Sequence, residues 1–236
     1  MEPETIAYTD GDTELSGRLY RPVGKARAAI LVYPTIMNQE GVVLEKAASL
    51  AGHGYLAFLA DFYGRNPANF EQSRAFAAEI RPHPQDFRRR IRQAVASLVT
   101  LPEAEGLPLG AIGFCMGGGA VLELAREGAP LDVVVSFHGL LQTDLPAEPG
   151  TITARILVCH GDADPAVPRS QVIAFWDEMD AAGADWHFHS YGGVKHGFTN
   201  PAPPLNPAVA YDASADRQSW AAMFELFDEV FGAAET

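Results

Sequence analysis

The chain has 236 residues, of which 47% are hydrophobic, enough to bury one sizeable core, and α/β domains of this length are routinely single. Thirty acidic residues against 17 lysines and arginines give a formal net charge of −13. That balance argues against nucleic acid and anionic membrane surfaces as partners, since both demand basic patches.

Taken in chain order, continuous apolar runs alternate with amphipathic stretches. Glu14 to Arg21 is expected to add antiparallel strands at one edge. Ala28 to Tyr33 reads as a buried strand, Val42 to Ala51 as a helix, and Tyr55 to Ala60 as a strand ending at Asp61. Phe62 to Pro84 is a long connection holding Tyr63, Arg65, Asn66 and Phe70, with a short helix expected around Ser73 to Ile80. Gln85 to Val99 is a helix whose apolar face is Phe87, Ile91, Val95 and Leu98, which leaves Arg88-Arg89-Arg90 as a solvated polar face. Strand Leu109 to Phe114, helix Met116 to Arg126, strands Val133 to Phe137 and Ile156 to Cys159, helix Ser170 to Ala182 and strand Trp186 to Tyr191 follow. A last helix, Ala213 to Phe231, carries Trp220, Met223, Phe224, Phe227 and Val230 on one stripe. Buried strands separated by amphipathic helices predict a mostly parallel sheet covered by helices on both faces, a single α/β domain over 1–236. The proline- and alanine-rich stretch Thr199 to Asp212 and the 62–84 connection adjoin strand ends and are expected to rim a pocket.

Gly113-Phe114-Cys115-Met116-Gly117 lies where a strand turns into a helix, the setting of a nucleophile elbow. The helix start points N–H groups and the positive end of its dipole at the Cys115 sulfur, which favours thiolate. A buried structural cysteine in a glycine-rich turn is the competing reading. A cysteine nucleophile needs a histidine base and an acid that orients it, in the chain order nucleophile, acid, base for this kind of elbow. After the strand ending at Cys159 comes His160-Gly161-Asp162-Ala163-Asp164-Pro165, and after Tyr191 comes Gly192-Gly193-Val194-Lys195-His196-Gly197-Phe198. Both loops leave the carboxyl ends of strands. Cys115 and His196 fit in order and place, with Asp162 and Asp164 both open as the acid. Asp162, nearer the strand end, could instead bond the backbone of its own turn.

The chain has seven histidines. His53 and His83 read as loop residues, and His187 and His189 as partly exposed strand residues. His138 and His160 end apolar strands and so fall near the site. A metal could be drawn from His138, His160, Asp162, Asp164 and His196, but no compact ligand spacing appears, so no metal is expected. No apolar run approaches the roughly 18 to 20 residues of a bilayer span. Met1-Glu2-Pro3-Glu4 lacks the pattern of a signal peptide. Two cysteines make no disulfide framework, so a reducing cytoplasm is the expected setting.

The elbow with Gly118, the His160 to Asp164 run followed by Val167-Pro168, Tyr191 to Phe198, and Asp61-Phe62-Tyr63-Gly64-Arg65 together resemble the dienelactone hydrolase family of the α/β-hydrolase superfamily. The resemblance covers essentially the whole chain. It implies a small, lidless, cofactor-free hydrolase of carboxylic esters or lactones, with Asp164 rather than Asp162 in a triad with Cys115 and His196. It also implies an oxyanion hole from the N–H groups of Ile36 and Met116, and a substrate-binding set of Thr35, Tyr63, Arg65, His138, Phe198 and Asn200. At Thr35 the family's thiol-activating glutamate is replaced by a residue that cannot act as a carboxylate base. Arg65 matches one arginine that holds a substrate carboxylate, while the second falls at the uncharged Asn200. A neutral or larger ester or lactone is therefore expected over dienelactone itself. Acyl transfer or thioester hydrolysis by the same triad, and a non-catalytic small-molecule binder on the same fold, are the alternatives. Stoichiometric ligand uptake without turnover would mark the binder. A monomer or small homo-oligomer is expected.

Overall fold

A computed structural model describes residues 2–204 and 206–233. Leu205 of the proline-rich stretch and Met1 of the acidic start lie outside the described residues. Eight strands in the order β1-β2-β4-β3-β5-β6-β7-β8 form a mostly parallel sheet accompanied by helices, an α/β fold. The strands are β1 (Glu4–Asp10), β2 (Thr13–Tyr20), β3 (Ala29–Tyr33), β4 (Leu56–Leu59), β5 (Leu109–Phe114), β6 (Val133–Phe137), β7 (Arg155–Gly161) and β8 (Trp186–Tyr191). The α-helices are α1 (Val42–Gly52), α2 (Phe70–Ile80), α3 (Pro84–Val99), α4 (Met116–Arg126), α5 (Arg169–Ala182) and α6 (Ala213–Phe231). The chain divides into two compact units, one ending at Ala111 and one beginning at Ile112.

In the first unit β3 and β4 pair in parallel, Ala29 opposite Leu56 to Val32 opposite Leu59, and both strands are buried throughout. Strands buried on both faces explain their unbroken apolar sequences. β1 and β2 form an antiparallel hairpin closed at Asp10 opposite Thr13, with Gly11 at φ 58° in the two-residue turn. A Gly-Asp turn with positive φ at its first residue matches the twist of the flanking strands. α1 packs on β4, and α3 on β1 and β3.

The arginine run on α3 corrects the sequence reading in part: Arg89 is exposed as expected, whereas Arg88 and most of Arg90 are withdrawn from solvent. Arg88 is buried, and Arg89 and Arg90 donate through their Nε atoms to Asp10 at 2.7 and 2.6 Å. Arg90 also donates to the Phe62 carbonyl at 2.8 Å and to Thr13 Oγ1 at 3.1 Å. Helical periodicity gives the face on which these arginines lie, but not the buried Asp10 carboxylate that faces them. Burial opposes ionisation of Asp10, yet the two guanidiniums hold its carboxyl below the usual range.

In the second unit β6, β7 and β8 pair in parallel, with Phe137 opposite Cys159 and Cys159 opposite His189. α4 and α6 pack on β6. Phe114 stacks on Phe137 at 5.0 Å between ring centroids, and Trp220 of α6 stacks on Phe137 at 5.8 Å. This apolar wedge fixes the end of the elbow strand. The parallel strands all deliver their carboxyl ends, and hence the 138, 162–164 and 192–198 loops, to one edge of the unit.

Candidate active site

Cys115 sits at the junction of β5 and α4 with φ 56° and ψ −114°. A non-glycine residue there stores about 1–3 kcal/mol of strain, which the surroundings must hold. Its N–H donates both to the Phe137 carbonyl at 3.0 Å and to His138 Nδ1 at 3.1 Å. Its carbonyl accepts from Gly119 N–H at 3.2 Å. The glycines are steric requirements. A Cβ on Gly113 would lie 2.0 Å from the Gly117 carbonyl oxygen, and one on Gly118 would lie 2.6 Å from Gly139 Cα. The sulfur is therefore presented at a helix N-terminus on a half-buried residue.

Asp164 follows β7, and its side chain is wholly buried. Its Oδ1 accepts from Ala166 N–H at 2.8 Å, and its Oδ2 lies 2.6 Å from His196 Nδ1. Asp162 turns outward instead and pairs with Arg169 at 2.6 Å, which holds its carboxyl low. Of the two aspartates left open by the motif, Asp164 is the one bonded to His196. Burial disfavours charge on His196, but the Cys115 thiolate and the Asp164 carboxylate outweigh it and raise its pKa to about 10. The same two groups also hydrogen-bond the imidazole. Such an arrangement is able to hold a thiolate beside an imidazolium oriented by a carboxylate.

His160, between the strand and the aspartates, is buried with neither ring nitrogen hydrogen-bonded, and burial pushes its pKa down despite the nearby aspartates. Cys159 is fully buried, and desolvation pushes its thiol up to about 12. His138 is buried with Nδ1 on Cys115 N–H and Nε2 on Thr199 Oγ1 at 2.9 Å. Phe198 is fully buried, edge-on to His138 and Tyr191. Asn200 turns its Oδ1 to Ala202 N–H at 3.0 Å.

The stretch after Asn200 is tied back to the histidine loop. His196 bridges Val209 in parallel, and Ala210 N–H donates to the His196 carbonyl at 3.1 Å. Lys195 Nζ donates to the Pro207 carbonyl at 2.8 Å. These ties, and the His138–Thr199 contact, escape sequence reading. They join residues distant in the chain, mostly through backbone atoms that carry no pattern.

Four of the expected site residues belong to the first unit. Thr35 Oγ1 accepts from Met37 N–H at 3.1 Å, so its hydroxyl caps a turn. The Ile36 carbonyl accepts from Tyr63 Oη at 3.3 Å. Arg65 lies 3.9 Å over the Phe76 ring and pairs with Glu79 at 3.3 Å while remaining exposed. Among the described residues, no group of three or more His, Cys, Asp or Glu is placed to hold a metal ion. No described helix is long and apolar enough to cross a membrane.

A strand–elbow–helix with a histidine and a buried acid on later strand-end loops defines the α/β-hydrolase class. Within it the chain belongs to the dienelactone hydrolase family, whose sequence model, described as "Dienelactone hydrolase family", matches residues 15–231. It is accordingly an enzyme, a hydrolase of ester or lactone bonds. The solved structure of m3DLH superposes with a TM-score of 0.91 at 38% identity, covering 98% of each chain. A dienelactone hydrolase-like promiscuous phosphotriesterase from metagenomic libraries gives 0.91 at 34% identity over 97% of this chain and 98% of its own. A probable 2-oxo-3-(5-oxofuran-2-ylidene)propanoate lactonase from Bradyrhizobium sp is 30% identical over 217 residues, 84% of this chain and 86% of its own.

Proposed function

We propose that the chain is a cysteine-dependent hydrolase of carboxylic esters or lactones, with Cys115 as nucleophile, His196 as proton carrier and Asp164 as its orienting acid. The observation that carries this reading is the His196–Asp164 bond of 2.6 Å on an imidazole that also interacts with Cys115 at the elbow. The thiolate attacks the carbonyl carbon, a C–S bond forms, and the carbonyl electron pair moves to oxygen. The family resemblance assigns the oxyanion to the main-chain N–H groups of Met116, at the start of α4, and Ile36. Collapse breaks the C–O bond as His196 gives its proton to the leaving alkoxide. In a lactone that alkoxide stays attached to the acyl group. Neutral His196 then takes a proton from water, hydroxide attacks the thioester, and the thiolate leaves. The product acid ionises.

Substrate preference follows from charge. Arg65 offers one cation, already shared with Glu79, while Asn200 is uncharged and its amide oxygen accepts from Ala202 N–H in its own turn. Thr35 supplies no carboxylate. A neutral or larger ester or lactone suits this set better than a substrate needing two cationic clamps, and the lactonase relative supports lactones as a class. The test is a panel of p-nitrophenyl esters and small lactones with the wild type and Cys115→Ala. Turnover by the wild type and a loss of about 10³-fold or more in the variant are expected. Undiminished hydrolysis by Cys115→Ala overturns the reading.

A further inference from the structure

We propose that His138 is a positioning residue for the nucleophile, its Nδ1 holding the main-chain N–H of Cys115 and its Nε2 anchoring the ring to Thr199. The inference rests on Cys115 being the nucleophile, and it gives His138 a role other than substrate contact.

Three features of His138 call for one explanation. It stands just past β6 at φ 40°, in the left-handed region that a histidine enters at a cost. Its imidazole is only 2% exposed, so both ring nitrogens need protein partners. Those partners are the Cys115 N–H at 3.1 Å and Thr199 Oγ1 at 2.9 Å. An amide N–H can only donate, so Nδ1 must carry its lone pair and Nε2 its proton. Thr199 Oγ1 then accepts. The ring is thereby committed to one tautomer and one orientation.

The Cys115 N–H is shared between two acceptors that are consecutive in sequence, the Phe137 carbonyl and His138 Nδ1. Cys115 itself has φ 56°, so its strained turn is clamped from the end of the neighbouring strand. Thr199, also buried, extends the clamp to the loop that carries His196, three residues earlier. The His138 ring also stands edge-on to the His196 ring at 5.2 Å. One imidazole therefore sets both the elbow that presents the sulfur and the loop that presents the base. A misplacement of about 1 Å between such groups costs on the order of 10²-fold in rate, without weakening substrate binding.

The test uses three substitutions at position 138 and one at 199. His138→Asn puts an amide oxygen near the Nδ1 position and tolerates the left-handed backbone. His138→Gly relieves the backbone without supplying an acceptor, and His138→Phe keeps a ring without one. The readouts are kcat and KM on a neutral p-nitrophenyl ester and the Cys115 amide resonance in protein labelled with ¹⁵N-cysteine, where the two cysteines give two signals. The Gly and Phe variants should lose about 10- to 100-fold in kcat with KM within about twofold, and should shift the Cys115 amide. The Asn variant should recover kcat to within about fivefold of the wild type. Thr199→Val, which frees the ring at Nε2, should lower kcat by about 3- to 10-fold with KM held, and covers the case of a position-138 variant that does not fold. The proposal is overturned if kcat survives in the folded variants, if the loss falls on KM, or if Asn does no better than Gly. Cys115→Ala separates the two claims. Hydrolysis that persists in it refutes the nucleophile assignment, whereas an inert Cys115→Ala beside fully active position-138 variants refutes only the role of His138.

Discussion

Removing the His196 imidazole should change how Cys115 alkylation depends on pH, and the size of the change can be worked out. An ordinary thiol with a pKa of about 8.5 is thiolate in about one molecule in 300 at pH 6. In His196→Ala the alkylation rate should therefore climb about tenfold per pH unit from 6 to 8. In the wild type the imidazolium is retained from its ordinary 6.5 up to about 10, so the pair holds the thiolate through this range and is lost only as pH rises past about 10. The wild-type rate should be flat within about twofold between pH 6 and 9. A less basic thiolate is also a weaker nucleophile, so the wild-type advantage at pH 6 shrinks to roughly tenfold, and the two curves should cross near pH 7. Cys159 stays silent, being fully buried with its thiol pushed up to about 12. The assay is pseudo-first-order iodoacetamide labelling followed by intact mass. A wild-type rate that rises tenfold per pH unit between 6 and 8 would mean a neutral thiol and would refute the ion pair.

Three further outcomes follow from the geometry. Gly113→Ala places a Cβ 2.0 Å from the Gly117 carbonyl, so β5 and α4 must part; thermal melts should show about 1–3 kcal/mol lost and kcat should fall about 100-fold. An unchanged melt and kcat would contradict this. Asp164→Asn offers an amide where His196 Nδ1 needs an anion at 2.6 Å, and kcat at pH 8 should fall by on the order of 10²- to 10⁴-fold; a loss under tenfold would deny Asp164 its orienting role. Arg65→Ala removes an exposed pair with Glu79, so stability should change by less than about 1 kcal/mol, while KM for anionic esters rises about 10- to 100-fold. Equal losses for neutral and anionic esters would show that Arg65 only orders its own loop.

Much of the architecture is legible in the sequence because doubly buried strands are short unbroken apolar runs. Strands Leu109–Phe114 and Val133–Phe137 and helices Met116–Arg126 and Ala213–Phe231 begin and end where the pattern places them, as does Trp186–Tyr191, an edge strand marked by its alternation rather than by a buried run. β1 was not legible, since an edge strand with mostly exposed side chains lacks that run; the Gly11-Asp12 turn was its only local signal. α2 begins at Phe70 rather than Ser73 because Asn69 caps it by accepting from Gln72 N–H, a cue weaker than the apolar spacing that follows. Cys115 and His196 stand out because each sits in a motif complete within a few residues, whereas the choice of Asp164 over Asp162 needs the resemblance or the bond to His196. His138 differs. Its neighbours in sequence mark only the end of a strand, whereas its partners Cys115 and Thr199 lie 23 and 61 residues away.

The most direct measurement is to quench a reaction with an activated ester within milliseconds and weigh the intact protein. A mass increase equal to the acyl group is expected, mapped to the peptide containing Cys115, formed in a burst and absent from Cys115→Ala. Turnover at the wild-type rate in Cys115→Ala, or an acyl group on another residue, would contradict it.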